Sequence, residues 1–373
     1  MKLEAVVGDR IYATDGRKIF VRDGTDEFTH LSTLPNPKSG LNRLRYNLKT
    51  GGIEARVRRL FTGRVHSVNV WPIDDDVLFA NAYRSLFVSR DGGESWEHSF
   101  ELRESSGLRG AMPCGLCYRG GTVYLGEYIF DETKNPRVLR TDDLGRNWSK
   151  HVELEGVRHV HSVQADPYSN DIWITTGDRD DESIVGILRD KSVEVVGTGS
   201  QRWRTVQPVF LPDAIIWGTD APYQDNHILR LDRSQIGTSD TDLEVLQTVK
   251  NPFYFGTAVD DWIFFSTNAS ARKDSTAPSA TTYESDNFAT IWGSSLQSGY
   301  REWNIVGKYE PKRTLARWFR FTGLSANSYI FLGNSMCHGL VYSPINTKSR
   351  SSLFKHPTEN FNKREFNNPK LIR

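Results

Sequence analysis

The sequence predicts an all-β fold, a β-propeller of four-stranded antiparallel blades. Three observations carry it. Short strand-like runs, cut by Gly, Asp, Asn or Pro, recur in groups of four at a period of roughly 50 residues, the size of one blade. Helical spacing is nearly absent, since no stretch keeps a 3-4 apolar interval over three turns. Two octapeptides, Ser89–Trp96 (SRDGGESW) and Thr141–Trp148 (TDDLGRNW), repeat one turn pattern, Ser/Thr-x-Asp-x-Gly-x-Ser/Asn-Trp. Seven blades are preferred and six are the alternative. A β-helix is the runner-up, but its repeats would be shorter and more uniform.

Taken in order, unit one spans about residues 3–34, with RIYAT, KIFVR and FTHLSTL as strands. Residues 35–64 are irregular and basic, with eight Lys/Arg against the single acid Glu54, and read as a solvated insertion. Unit two takes VHSVNVWP, DVLFANA, SLFVSRD and WEHSFEL, and unit three AMPCGLCYR, TVYLGEY, RVLRTDD and WSKHVEL. Unit four begins at Val157–Glu182 and ends with SIVGILR and SVEVVG; unit five takes RTVQPVFLP, AIIWGTDA, HILRLDR and LEVLQTV. Units six and seven cover about 251–308 and 314–357. Strands such as DIWIT and AIIWG are apolar on both faces, as sheets packed between neighbours must be. One domain is expected over 1–357, followed by a polar tail, 358–373, that frays or drapes on the surface.

Bulk properties remove several function classes. A net charge of +1 over 373 residues gives no field for nucleic acid or an anionic membrane. No apolar run approaches the roughly 20 residues of a membrane helix. The N-terminus has neither an apolar core nor a small-residue cleavage site, so the chain as it stands reads as cytoplasmic; loss of a leader would make it secreted. Three cysteines make no disulfide framework, and Cys114 and Cys117, placed in one strand, are expected to be buried thiols rather than half of a zinc site.

The octapeptides have a local logic. Asp91 and Asp143 accept hydrogen bonds from turn N–H groups, Gly93 and Gly145 supply a backbone that a Cβ resists, and Trp96 and Trp148 pack back over the turn. A degenerate copy lies at Glu284–Ile291, with Phe288 and Ile291 in the Gly and Trp places. The two octapeptides resemble the Asp boxes of the sialidase superfamily of propellers, where the box is structural.

Propeller geometry turns the repeat into a map, because the start of the innermost strand and the loop after the second strand share one rim. The innermost starts bring His66, the pair His159 and His161, and the pair Arg202 and Arg204; members of each pair stand two apart and share a strand face. The loops bring Glu127 and Tyr128, Asp178 and Glu182, and Asp220, with Asn334 and His338 added by unit seven. Catalytic roles are expected of Glu127, Tyr128, His161 and Asp178. Ligand contacts are expected of His66, His159, Glu182, Arg202, Arg204 and Asp220. No metal ligand and no cofactor are assigned, although the acidic loop GDRDDE offers oxygen ligands to Ca²⁺ without the EF-hand spacing.

The chain further resembles uncharacterised bacterial and archaeal Asp-box propellers labelled glycosyl hydrolase-like, through YLGEY, RHVHSVQADPYSNDIWITTGD, Glu182-Ser183, GSQRWR and WGTDAP. That resemblance implies a propeller working on carbohydrate. The Phe/Tyr-Arg-Ile-Pro motif of true sialidases is missing, so a strict sialidase is not implied. Two enzyme readings follow: hydrolysis by paired carboxylates drawn from Glu127, Asp178, Glu182 and Asp220, or elimination from a uronate with a His or Tyr base and Arg204 on the carboxylate. The alternative is a non-catalytic glycan-binding or polysaccharide-assembly protein.

Overall fold

The computed structural model describes residues 2–7, 10–23, 27–50, 68–106, 110–222, 224–238, 241–268, 286–309, 319–324, 329–334 and 344–346. Strand follows strand in antiparallel four-membered sheets. The first sheet is β1 (Lys2–Val7), β2 (Arg10–Asp15), β3 (Lys18–Asp23) and β4 (Thr29–Thr33); the second is β5 (Val68–Pro72), β6 (Leu78–Ala82), β7 (Ser85–Ser89) and β8 (Glu97–Glu101). The third is β9 (Leu116–Arg119), β10 (Thr122–Gly126), β11 (Arg137–Thr141) and β12 (Ser149–Glu153). The fourth is β13 (His159–Ala165), β14 (Ile172–Gly177), β15 (Ile184–Leu188) and β16 (Val193–Thr198). The fifth is β17 (Val209–Phe210), β18 (Ala214–Gly218), β19 (Asn226–Asp232) and β20 (Glu244–Val249). The sixth is β21 (Phe253–Val259), β22 (Trp262–Thr267), β23 (Ala289–Ser295) and β24 (Asn304–Tyr309).

Among the described residues this is an all-β propeller of six four-stranded blades, not the preferred seven. The stretch expected to supply a seventh gives a three-stranded sheet, β25 (Phe319–Leu324), β26 (Tyr329–Asn334) and β27 (Pro344–Asn346). Two compact units divide the chain: residues 1–165 with 171–178 and 186–194, and residues 166–170 and 179–185 with 195–373.

Within the first unit the core lies between successive sheets, which is why the strands are apolar on both faces. Trp71, Phe79, Leu86 and Val88 of the second sheet meet Val123, Leu125 and Leu139 of the third. Val138 and Val152 of the third meet Val160, Val163, Ile172 and Ile174 of β13 and β14. Each such side chain contributes roughly 1.5–3 kcal/mol by leaving water. In the second unit, Val209, Ile216 and Ile228 pack with Phe253, Ile263, Phe265 and Trp303.

Both octapeptides adopt one turn between the third and fourth strands of their sheets. Ser95 N–H and hydroxyl donate to Asp91 at 2.9 and 2.5 Å, while Gly93 N–H donates to Ser89 Oγ at 2.8 Å. In the second copy the Asn147 backbone and amide donate to Asp143 at 2.9 and 2.7 Å, and Gly145 N–H donates to Thr141 Oγ1 at 2.9 Å. These bonds, from Ser95 and from Asn147, hold both carboxyls down at about 2. The glycines sit at φ +95° and +83°. Each tryptophan also staples its turn to the preceding sheet. Trp96 Nε1 donates to Ser32 Oγ at 3.0 Å and Ser32 Oγ to Gly93 O at 2.5 Å; Trp148 Nε1 donates to Ser99 Oγ at 2.8 Å and Ser99 Oγ to Gly145 O at 2.6 Å.

Two local expectations change. The basic segment is not wholly irregular, because Gly40–Thr50 forms a helix, α1, anchored by buried Tyr46, whose hydroxyl donates to Ala82 O at 3.1 Å. Its remainder, 51–64, lies outside the described residues, as does the 358–373 tail. Cys114 stands ahead of β9 while Cys117 lies on it, and burial pushes the Cys117 thiol up to about 12.

Candidate functional site

The site is built where β13 begins and β14 ends. His159 pairs with Gly177 and Val160 with Thr176, but the next pair is Ser162 with Thr175, so His161 is the extra residue of a β-bulge. A bulge re-aims the side chain it carries. The room for that side chain comes from Gly177, where an added Cβ would stand 2.5 Å from His161 Cε1. Asp178 follows directly.

Three donor atoms meet there. His159 Nε2 is 3.1 Å from His161 Nε2, and Asp178 Oδ1 is 3.4 Å from the first and 3.6 Å from the second. Among the described residues this is the one group of three potential metal-ligating side chains this close together. Both imidazoles are buried, with Asp178 about a quarter exposed. His159 Nδ1 lies 3.2 Å from Ile129 O; an N–H there leaves the Nε2 lone pair of the neutral ring facing the group. Burial pushes the His159 pKa down, against the pull of the nearby Asp178 carboxylate on the charged ring. Arg158 Nη1 reaches Asp178 Oδ2 at 3.4 Å, and Arg158 Nη2 reaches Glu132 at 3.4 Å. Tyr128 stacks on His159, centroids 3.9 Å apart at 23°, and Phe130 meets Tyr128 edge-on at 5.4 Å.

Of the residues singled out in the sequence, His159, His161, Asp178 and Tyr128 therefore come together. Glu127, expected among the catalytic carboxylates, is instead wholly buried in an ion-pair network. Arg137 grips it with Nη2 at 2.7 Å, Nε at 3.0 Å and its backbone N–H at 3.1 Å, and Arg103 Nη2 adds a contact at 2.6 Å. Both of its oxygens accept bonds from these arginines, and its side chain is fully buried.

Arg202 does not open a strand as expected, whereas Arg204 O accepts from Asp220 N–H at 2.9 Å directly ahead of the antiparallel Thr205–Thr219 bridge. Gln201–Trp203 winds into a single 3-10 turn, and the first paired strand of that sheet is β17. Arg202 Nη2 donates to Leu243 O at 2.7 Å, and Arg204 Nη2 pairs with Asp220 at 3.4 Å. The acidic loop binds itself: Glu182 accepts from Arg179 N–H and Nη2, each at 2.9 Å, and Asp180 accepts from Gln201 Nε2 at 2.8 Å. A shallow depression of about 240 Å³ lies in the second unit, lined by Gln201, Arg202, Thr219, Gln224, Asp225 and His227. His66 and His338 lie outside the described residues. Sequence reasoning gave no role to Arg158 or Gly177, although both lie within a motif it quoted.

No family model matches the chain, and no curated protein matches it in sequence. Solved structures do share its fold. YCF48 from Cyanidioschyzon merolae is similar over 93% of this chain and 96% of its own, at 10% identity and a TM-score of 0.53. An ancestral GH74 enzyme is similar over 93% of this chain, which spans 44% of that enzyme, at 11% identity and a TM-score of 0.54. A chain of the mitotic checkpoint complex is similar over 89% and 86% respectively, at 10% identity and a TM-score of 0.51. At such identities the likeness is one of fold.

Proposed function

We propose that this propeller acts on an acidic poly- or oligosaccharide at the corner formed by His159, His161, Asp178 and Tyr128, by elimination at a uronate. The observation that carries the reading is the composition of the corner: two imidazoles, one carboxylate and a tyrosine ring, with the nearby second carboxylate, Glu127, consumed by Arg103 and Arg137. Glycoside hydrolysis needs two carboxylates facing the bond. Elimination needs a base and a group that stabilises the charge building on the uronate carboxyl. Tyr128, as phenolate, takes the proton α to the carboxyl; the electron pair forms the C4–C5 double bond, the C4–O bond breaks, and the phenol returns its proton to the departing oxygen. The carbohydrate class is supported by the resemblance to glycosyl hydrolase-like propellers, with the two octapeptides read as Asp boxes. A GH74 enzyme on a similar fold is consistent with it.

The test is a panel of uronate-containing and neutral polysaccharides, followed by the absorbance of unsaturated uronate and by reducing ends. Unsaturated product from acidic polymers is expected, abolished in Tyr128→Phe with a Tm within a few degrees of the parent. Reducing ends without unsaturation would sink elimination. A second reading has its own observation: Phe130, 46% exposed, meets the Tyr128 ring edge-on beside the Tyr128–His159 stack and offers an exposed ring to a sugar face. Saturable glycan binding without turnover, weakened by Phe130→Ala, would establish that reading instead.

A further inference from the structure

We infer that His159, His161 and Asp178 are the protein ligands of a divalent transition-metal ion, with zinc favoured by their spacing. The inference rests on the corner that the proposed function uses, but it does not require turnover.

The first argument is hydrogen-bond accounting. Two imidazole Nε2 atoms lie 3.1 Å apart in a buried place with a carboxylate oxygen 3.4 and 3.6 Å away. With the His159 proton on Nδ1 toward Ile129 O, both His159 Nε2 and Asp178 Oδ1 present lone pairs to the same point. His161 Nε2 stands beside both, 3.1 Å from His159 Nε2 and 3.6 Å from Asp178 Oδ1. A cation at the centre satisfies all three donors at once.

The second argument is metric. A tetrahedral ion with bonds of about 2.0–2.1 Å holds its ligand atoms about 3.3 Å apart, whereas neighbouring ligands of an octahedral ion at that bond length stand about 2.9 Å apart. The three separations here, 3.1, 3.4 and 3.6 Å, centre on the tetrahedral value. Three protein ligands leave a fourth position for water or substrate, the arrangement of a catalytic rather than a structural zinc. Two imidazoles with one carboxylate also suit iron(II) or manganese(II), and disfavour Ca²⁺ and Mg²⁺, which take oxygen ligands.

The third argument is the surrounding shell. Ile129 O faces His159 Nδ1, Arg158 pairs with Asp178 Oδ2, and Gly177 admits the His161 ring. The ion would also resolve a conflict in the proposed function. Asp178 alone repels a uronate carboxylate, whereas a 2+ ion on one carboxylate and two neutral rings leaves the corner positive.

The experiment is titration of chelator-stripped full-length protein with Co²⁺ and Zn²⁺, read by visible cobalt absorption and by metal content after dialysis. One equivalent is expected, with the intense absorption of four-coordinate cobalt. Asp178→Asn and His161→Gln are each expected to weaken binding at least tenfold, with zinc raising the Tm of the parent alone. X-ray absorption at the zinc edge of the parent protein is expected to show two imidazoles, a readout that stands even if a variant does not fold. Absence of stoichiometric binding, or a zinc shell without two imidazoles, overturns the inference. Elimination at full rate by a protein that takes up no stoichiometric metal overturns it while upholding the proposed function. Stoichiometric zinc without turnover upholds the site and removes the enzymatic reading.

Discussion

The corner at β1 and β2 and the corner at β13 and β14 share one backbone and differ in what they hold. In the first, Lys2 pairs with Thr14, Leu3 with Ala13 and Ala5 with Tyr12, so Glu4 is the bulge residue; in the second, His161 occupies that place, and Gly177 stands where Thr14 does. The first corner closes on itself. Thr14 Oγ1 donates to Glu4 at 2.6 Å, and Lys2 Nζ, in the position of His159, lies 3.0 Å from Glu4 and donates to Val68 O at 2.5 Å. A third bulge, Tyr254 in β21, follows the same rule, since Asn268 donates to its hydroxyl at 3.4 Å from the place opposite. Of these three, only Gly177 lacks a side chain with which to answer its bulge residue. The fold thus supplies the bulge, and one residue opposite decides whether the corner is a structural clasp or a converging set of ligand atoms.

The largest effect separates a clasped carboxylate from a presented one. Glu127→Gln leaves Arg103 and Arg137 facing a neutral amide in a buried place, and a loss of about 3 kcal/mol is expected. That is the low end for a broken buried pair, because the guanidiniums are themselves 28% and 20% exposed. Asp178→Asn, quarter-exposed and isosteric, should change stability by less than about 1 kcal/mol in the metal-free protein. Chemical denaturation measures both. A reversal of the two would break the division between structural and functional carboxylates.

The next effect exchanges the deciding residue. Gly177→Thr copies the β1–β2 corner onto β13–β14. Its Cβ would meet the His161 ring at 2.5 Å, so the imidazole must leave. Cobalt binding and turnover should both fall below detection, with a stability cost of about 1–3 kcal/mol from overpacking. Thr14→Gly, the reciprocal change, removes the hydroxyl from buried Glu4 and should cost about 1–3 kcal/mol while leaving cobalt binding untouched. If Gly177→Thr retained cobalt, the role of the glycine would fail.

Blade repetition was readable because strand length, turn residues and period all pointed the same way. The pairing of His159 with His161 and the Gly-Asp after the second strand were readable too, from alternation alone. The bulge was not, because no residue type marks it; it shows only in the register against β14. Arg103 and Arg137 stand 24 and 10 positions from Glu127, and no periodicity links them to it. The alternation in Arg202-Trp203-Arg204 imitates a strand, yet buried Trp203 lies in a 3-10 turn against Trp217. Helix α1 spans only eleven residues, and its leucines at 41, 44 and 48 are exposed, so its apolar signal is short and is not answered by burial.

The smallest effect concerns a pair of repeats that do the same job. Asp91 and Asp143 accept equivalent bonds in equivalent turns, and both carboxyls are held at about 2, against about 3.9 for a free aspartate. A depressed folded-state pKa means that the unfolded chain takes up the proton first. The contribution of each turn is therefore whole above about pH 4 and declines as pH falls toward 2. Asn in place of either aspartate removes that proton linkage while keeping one acceptor oxygen in the turn. Melting profiles from pH 5 to pH 2 should show Asp91→Asn and Asp143→Asn each losing less Tm than the parent on acidification, by equal amounts, and the double variant losing less by their sum. Unequal single variants would mean that the turns differ as the two corners do, with one of them carrying more than the staple from tryptophan to the preceding sheet.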